Sequence, residues 1–309
     1  MFDMLHNRGV SFNATTNKEN TYFYFQGLSE SLDICLDALK MLVVENRDFD
    51  TDVFANELKV VESEAHSFYS SFSQINVRMA QALYGNYGIG RTILGPISNI
   101  QTASIEDVSN IDNEAGVYFD GKFAGSNSIA SIGFRVPSSD DKIHICTELL
   151  SLILSDPIMS ERIPVEIRQK RGLAYNVGGF VNQYKNMCTL GIACTCNINN
   201  TEEAIRIAMN ELCKVKEEGI TENELQRAKM NLITKKNVDF ADVLRRTICL
   251  GKYSSYDRFY SFEDDVRKIR KIDLQYVNEA SKQILSQENL GLALIGNVDI
   301  EKIVDLLSM

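Results

Sequence analysis

Two pairs of residues have types and spacings that could do chemistry. Glu57 and Glu64 are seven positions apart in a segment of helical periodicity, so they fall two turns apart on one face, with Val60 and Val61 between them. Two carboxylates projecting together beside an apolar wall form one candidate constellation, although periodicity by itself favours a solvated acidic face. The second pair lies in Glu166-Ile167-Arg168-Gln169-Lys170-Arg171-Gly172-Leu173-Ala174-Tyr175, which reads as a helix end entering a strand. It brings an Arg and a Tyr hydroxyl to one helix-to-strand junction. Taken alone, the same residues also read as an ordinary cap and a strand aromatic.

Other chemistry lacks its residues. The three His (6, 66 and 144) form neither H-E-x-x-H nor H-x-x-E-H. Glu62 and His66 are i,i+4 and could share a ligand face, but such a pair is more often a solvated contact. Cys194-x-Cys196 puts two sulfurs on one face of a strand with Cys188 nearby; without a second pair, buried thiols explain them better than zinc. No G-x-x-x-x-G-K-[ST], G-x-G-x-x-G or G-x-S-x-G is present, so phosphate cradling and nucleophile-elbow catalysis are not indicated.

The elements that must position these pairs follow from periodicity and punctuation. Residues 9–16 and 21–26 are β-branched and aromatic runs around polar Asn17-Lys18-Glu19-Asn20, a hairpin signature. A half-buried helix follows from about Leu32 to Val43, and a long periodic segment then runs from Val53 towards Leu83, stopping at Gly85. Gly85, Gly88, Gly90 and Gly95 read as turn geometry. Ser104 to Val108 looks like another helix start, and Asn110 to Ser128 is loop-like, which places a domain boundary there. Beyond it the pattern restarts with a strand at 129–135, a helix at 140–154 and strands at 174–181 and 187–197. Helices follow at 201–218, 221–234, 241–256, 262–269 and 273–285, then a strand at 290–295 and a terminal helix from Asp299.

With 309 residues the chain has room for about two domains. Its 32 Lys and Arg against 42 Asp and Glu give a net charge of -10, a field that repels phosphate backbones and anionic lipid, so neither nucleic acid nor membrane is an expected partner. Seven Cys, an odd number without dense spacing, favour reduced thiols and a reducing compartment. No apolar run is long enough to span a bilayer and no signal-peptide pattern opens the chain. A cytoplasmic location is expected.

Several further spacings fall in one order along the chain. They are Asn13-Ala14-Thr15-Thr16-x-x-Glu19-x-Thr21-x-x-Tyr24, Glu57-x-x-Val60-Val61-x-x-Glu64 and Tyr84-Gly85-x-x-Gly88-x-Gly90-x-x-Ile93-Leu94-Gly95. Ser160-Glu161-Arg162-Ile163, Glu166-Ile167-Arg168, Gly172-Leu173-Ala174-Tyr175, Gly219-Ile220-Thr221-Glu222-Asn223-Glu224-Leu225 and Ile295-Gly296-Asn297-Val298-Asp299 follow. In order and number they resemble the pitrilysin/insulinase family of zinc peptidases, nearest to short subunits like those of the mitochondrial processing peptidase. The resemblance implies an α+β fold of two related units, each a mostly antiparallel sheet with helices on one face. It divides the chain into a trimmed first domain at 1–120, apparently incomplete, and a second domain at 121–309 that carries the Arg/Tyr pair.

The resemblance also assigns residues. In the family an H-x-x-E-H helix supplies two His ligands and a Glu base to zinc; a later Glu completes the site and matches Glu64, and an acidic position that orients the ligands matches Glu57. Arg168 and Tyr175 match the pair that the second domain points at bound substrate. This chain departs from the pattern, because the H-x-x-E-H would fall before Met1. One carboxylate without imidazoles would hold zinc poorly and no base remains to activate water, so no zinc is expected on this chain alone. The expected function is that of a non-catalytic, substrate-binding subunit of a heteromeric zinc metallopeptidase that processes peptides. Its partner would be a catalytic zinc-bearing homologous subunit, or it would form a homo-oligomer. A fragment of an active endopeptidase lacking its zinc helix and a degenerate scaffold member of the family are the alternative readings.

Overall fold

The structure is a computed structural model and describes residues 2–43, 50–85, 88–104, 126–137, 140–156, 161–298, 302–303 and 305–309. In chain order the elements are α1 (Phe2–Asn7), β1 (Ser11–Thr16), β2 (Thr21–Gln26), α2 (Leu32–Val43), α3 (Thr51–Tyr69), α4 (Ile75–Tyr84) and α5 (Ile97–Thr102). They continue with β3 (Asn127–Pro137), α6 (Asp141–Ser155), β4 (Ala174–Gln183), β5 (Met187–Asn197), α7 (Thr201–Glu218) and α8 (Glu222–Ala241). The last are α9 (Val243–Ser255), α10 (Phe262–Lys271), α11 (Leu274–Ile284) and β6 (Leu290–Ile295). The helix start expected after Ser104, the domain boundary at 120 and the terminal helix start at Asp299 lie outside the described residues.

Two compact units interleave along the chain. The first comprises Met1–His66, Thr92–Glu114 and Asp242–Phe259; the second comprises Ser67–Arg91, Ala115–Ala241 and Tyr260–Met309. The first holds the expected hairpin, β1 antiparallel to β2 with Ser11 opposite Gln26 and Thr16 opposite Thr21. Asn17 shapes its loop by accepting the backbone N–H groups of Glu19 at 3.1 Å and Asn20 at 3.0 Å, the Asx geometry that makes Asn a turn residue. Tyr256, just after α9, donates its hydroxyl to Glu19. A small core of Leu5, Val10, Ile34 and Ala38 closes between α1, the start of β1 and α2.

The periodic segment from Val53 to Leu83 is two helices. Ser70 and Ser71 turn their hydroxyls onto the carbonyls of Ser67 and Phe68, at 3.1 and 2.9 Å, and Ser71 then accepts the N–H of Ser73 at 3.2 Å. Hydroxyls so placed compete with the helix ladder for backbone partners, which is why the helix stops and restarts here despite an unbroken apolar period. Periodicity reports which face is apolar and says nothing of backbone continuity.

In the second unit the sheet order is β4-β5-β3-β6, with every neighbouring pair antiparallel. One face packs against α6, α7 and α11, with α8 laid on α6, around Phe134, Leu149, Leu154, Leu190 and Leu212, all essentially buried. Each such side chain contributes about 1.5–3 kcal/mol by leaving water. The helices are tied together by Lys236 of α8, whose Nζ lies 3.1 Å from Glu148 of α6 and 3.1 Å from Asp265 of α10. Across the sheet, Phe180, Gly191, Gly133 and Gly291 form one transverse row on four neighbouring strands. α4 covers this row from the opposite face. A Cβ at Gly133 would meet Met79 at 2.5 Å and one at Gly291 would meet Leu83 at 2.7 Å, while one at Gly191 would stand 2.1 Å from the Phe180 ring. The glycines let side chains reach the backbone plane. Tyr84, the last residue of α4, donates to the Cys188 carbonyl at 3.1 Å and shares a 2.8 Å hydrogen bond with the Thr189 hydroxyl.

Candidate functional site

Arg168 and Tyr175 are set by two neighbouring irregularities of the backbone. Ile167, fully buried, anchors the helical segment ahead of the junction. That segment widens over Val165–Gln169 into a π-helical turn, closed by Lys170 N donating to Val165 O at 2.9 Å. Such single turns recur at functional sites because they redirect a side chain without breaking the helix. Gly172, at φ +62°, ends the turn in the left-handed region where glycine has no steric penalty. Leu173 is then held by its N–H to Ile167 O at 2.9 Å and by its carbonyl accepting from the Asn200 amide at 3.3 Å.

The strand begins with a bulge. Ala174 pairs with Cys196 and Asn176 with Thr195, so Tyr175 is the extra residue with no partner across the ladder. A bulge re-aims the residue it adds. Tyr175 is 88% exposed, and the Arg168 guanidinium carbon stands 5.7 Å from its ring centroid, within the range of a cation–π contact. The structure therefore brings these two sequence-predicted residues together at the surface of the second unit.

The charges beside Arg168 are arranged unequally. Glu166 takes Lys170 at 2.5 Å and also Arg171. These hydrogen bonds hold its carboxyl down at about 2, so it stays ionised across the neutral range. Among the described residues no carboxylate lies within ion-pair distance of Arg168. Lys170 and Arg171 are not singled out by sequence reasoning, although the i,i+4 spacing of Glu166 and Lys170 was the available signal.

Glu57 and Glu64 lie in the first unit on α3. Both are exposed, as is Val60 between them, while Val61 is half-buried. The two carboxylates therefore stand on an exposed stretch of α3. Glu62 accepts the Gln101 amide at 2.5 Å and stands 3.8 Å from His66. The zinc that the resemblance implies does not fit the donors present: Glu64 brings one carboxylate, and among the described residues no group of three or more His, Cys, Asp or Glu side chains is gathered closely enough to hold a metal ion. The thiols of Cys194 and Cys196 face the main core. Also among the described residues, no helix is long and apolar enough to cross a membrane.

Comparison with known proteins bears on both halves. Residues 1–97 match the family model described as insulinase (peptidase family M16), and residues 97–232 match the one described as peptidase M16 inactive domain. An uncharacterized zinc protease of Mycobacterium tuberculosis is 22% identical over 93% of this chain and 77% of its own length. One from Rickettsia felis is 24% identical over 94% of this chain and 81% of its own. Among solved structures, a protease from Helicobacter pylori superposes with a TM-score of 0.84 at 16% identity, covering 96% of this chain and 84% of that one. A peptidase M16 inactive domain from Pseudomonas fluorescens reaches 0.79, also at 16% identity, covering the same shares of the two chains. The likeness of fold extends over almost the whole chain, and the two family models adjoin over residues 1–232. The chain belongs to the pitrilysin/insulinase family of zinc peptidases.

Proposed function

We propose that this chain is a non-catalytic, substrate-binding subunit of a heteromeric zinc metallopeptidase that processes peptides. The observation that carries the reading is the Arg168–Tyr175 pair: a guanidinium laid over a phenol ring, both exposed, on a π-helical turn and a β-bulge. A planar fork and a hydroxyl donor suit a peptide main chain, the first holding a carbonyl and the second meeting negative charge as it develops. The 309 residues contain no H-x-x-E-H, and Glu64 with Glu57 does not make a zinc site. The metal and the base that activates water therefore come, in this reading, from a homologous subunit of a reducing, cytoplasmic compartment.

The test is turnover of a peptide substrate by the assembled complex. Arg168→Ala and Tyr175→Phe are expected to lower kcat/KM by about a hundredfold to a thousandfold, the scale of losing one donor to a developing oxyanion, while co-purification with the zinc-bearing subunit is unchanged. Both residues are exposed, so neither substitution disturbs the core. Turnover that is unaffected by either change would overturn the proposal.

A further inference from the structure

We infer that the Arg168–Tyr175 site recognises a carboxylate on the bound peptide, either an acidic side chain or the free C-terminus. The inference rests on the peptide-binding reading above and narrows it to a substrate class. Between Glu166 and Arg171 the chain carries three cations, Arg168, Lys170 and Arg171, against the single carboxylate of Glu166. That carboxylate is already shared by Lys170 and Arg171. Arg168 is left with an aromatic face as its contact and no carboxylate within reach among the described residues.

Geometry and nearby charge also suit an anion at this point. Arg168 lies over the Tyr175 ring, and a planar guanidinium fork can serve the two oxygens of a carboxylate at once. The backbone of the ring's residue is held between Ala174, which is buried, and the Asn176–Thr195 pair, and the ring itself projects into solvent. The net charge of the chain is -10, which by itself would favour cationic peptides. At physiological salt the Debye length is about 8 Å, so charges far from the patch are largely screened, and within Glu166–Arg171 three cations stand against one carboxylate.

The experiment is fluorescence anisotropy with the full chain and three N-terminally acetylated, labelled peptides of one sequence. The first has an internal Glu and an amidated end, the second Gln and an amidated end, the third Gln and a free carboxyl end. Tighter binding of the first than the second by about tenfold, the scale of a charge-assisted hydrogen bond, supports the inference with a side chain as the source. The same margin for the third over the second supports it with the C-terminus as the source. Arg168→Gln should abolish the margin. Arg168→Lys, which keeps the charge and loses the fork, should retain only part of it, and higher salt should narrow it. If all three peptides bind equally to the native chain, or the margin survives Arg168→Gln, the inference is overturned while peptide binding stands. If none binds, the peptide-binding reading fails and the inference with it.

Discussion

Arg162 and Glu224 show how this chain keeps charges inside a protein wall. Arg162 donates to the two oxygens of Glu224 at 2.7 and 3.0 Å, and the backbone and hydroxyl of Thr221 add bonds of 2.7 and 2.8 Å. Glu224 in turn offers its N–H to the Thr221 hydroxyl at 3.3 Å, the reciprocal capping box that starts α8. Partial burial opposes ionisation of Glu224, but the bonds from Arg162 and Thr221 overcome it and hold the carboxyl at about 2. The sign follows from linkage. The folded value lies below the unfolded value of about 4.3, so this stabilisation is fully present above about pH 4.3 and is lost as pH falls through about 2. Glu224→Gln is expected to reduce stability at pH 7 by about 1–2 kcal/mol, allowing for solvent screening of a partly exposed group, and to flatten the dependence between those limits. Urea unfolding across a pH series measures both. Glu166 is lowered over the same window, so its removal should lower stability with the same sign but by less, because its partners Lys170 and Arg171 are exposed to solvent.

At the scale of elements, the row of glycines under α4 makes a graded expectation possible. A methyl at Gly191 meets the Phe180 ring, which is braced by the neighbouring strand, whereas one at Gly133 meets the thioether of Met79, which has rotamers to spare. Gly191→Ala should therefore destabilise by about 1–3 kcal/mol and Gly133→Ala by less. Gly178, on β4 with nothing within 4 Å of its missing Cβ, is the control: Ala there should be neutral or stabilise by a few tenths of a kcal/mol through the unfolded chain. Thermal melts of the three variants rank them. A result in which Gly178→Ala is the most damaging would mean that strand propensity, not close approach, governs this sheet. α4 itself ends at Gly85, whose φ of +66° closes it just after Tyr84 bonds Cys188 and Thr189 on β5.

For the whole molecule the distribution of apolar surface matters more than its amount. In the first unit Leu28, Leu32, Leu36 and Val43 leave more than half of their surface in water, and Leu32, Leu36 and Val43 share one face of α2. A contiguous leucine face of this kind is uncommon on a monomer and promotes association. The isolated chain is expected to show a concentration-dependent mass in sedimentation that rises with salt as the net negative charge is screened, and Leu36→Glu is expected to return it towards 34.8 kDa. A single 34.8 kDa species of the unmodified chain at all concentrations would contradict this.

Much of this organisation is written locally. The hairpin follows from two β-branched runs and an Asn-bounded loop, α7 and β6 begin and end where caps and periodicity place them, and the spacings that mark the family are linear strings. These features depend on neighbours within a turn or two, so the sequence by itself determined them. It also determined that Glu57 and Glu64 share a helix face and that no H-x-x-E-H lies within the 309 residues. Only the tertiary structure decided that α9, late in the chain, joins the first unit, and that Gly133, Gly191 and Gly291 line up under α4. Only it decided that a π-helical turn and a bulge lay Arg168 over Tyr175 while Glu166 is spent on Lys170 and Arg171. The physical reason is that strand register, close approach and ion pairing depend on groups separated by tens to hundreds of residues, and no local propensity encodes which of those groups will meet.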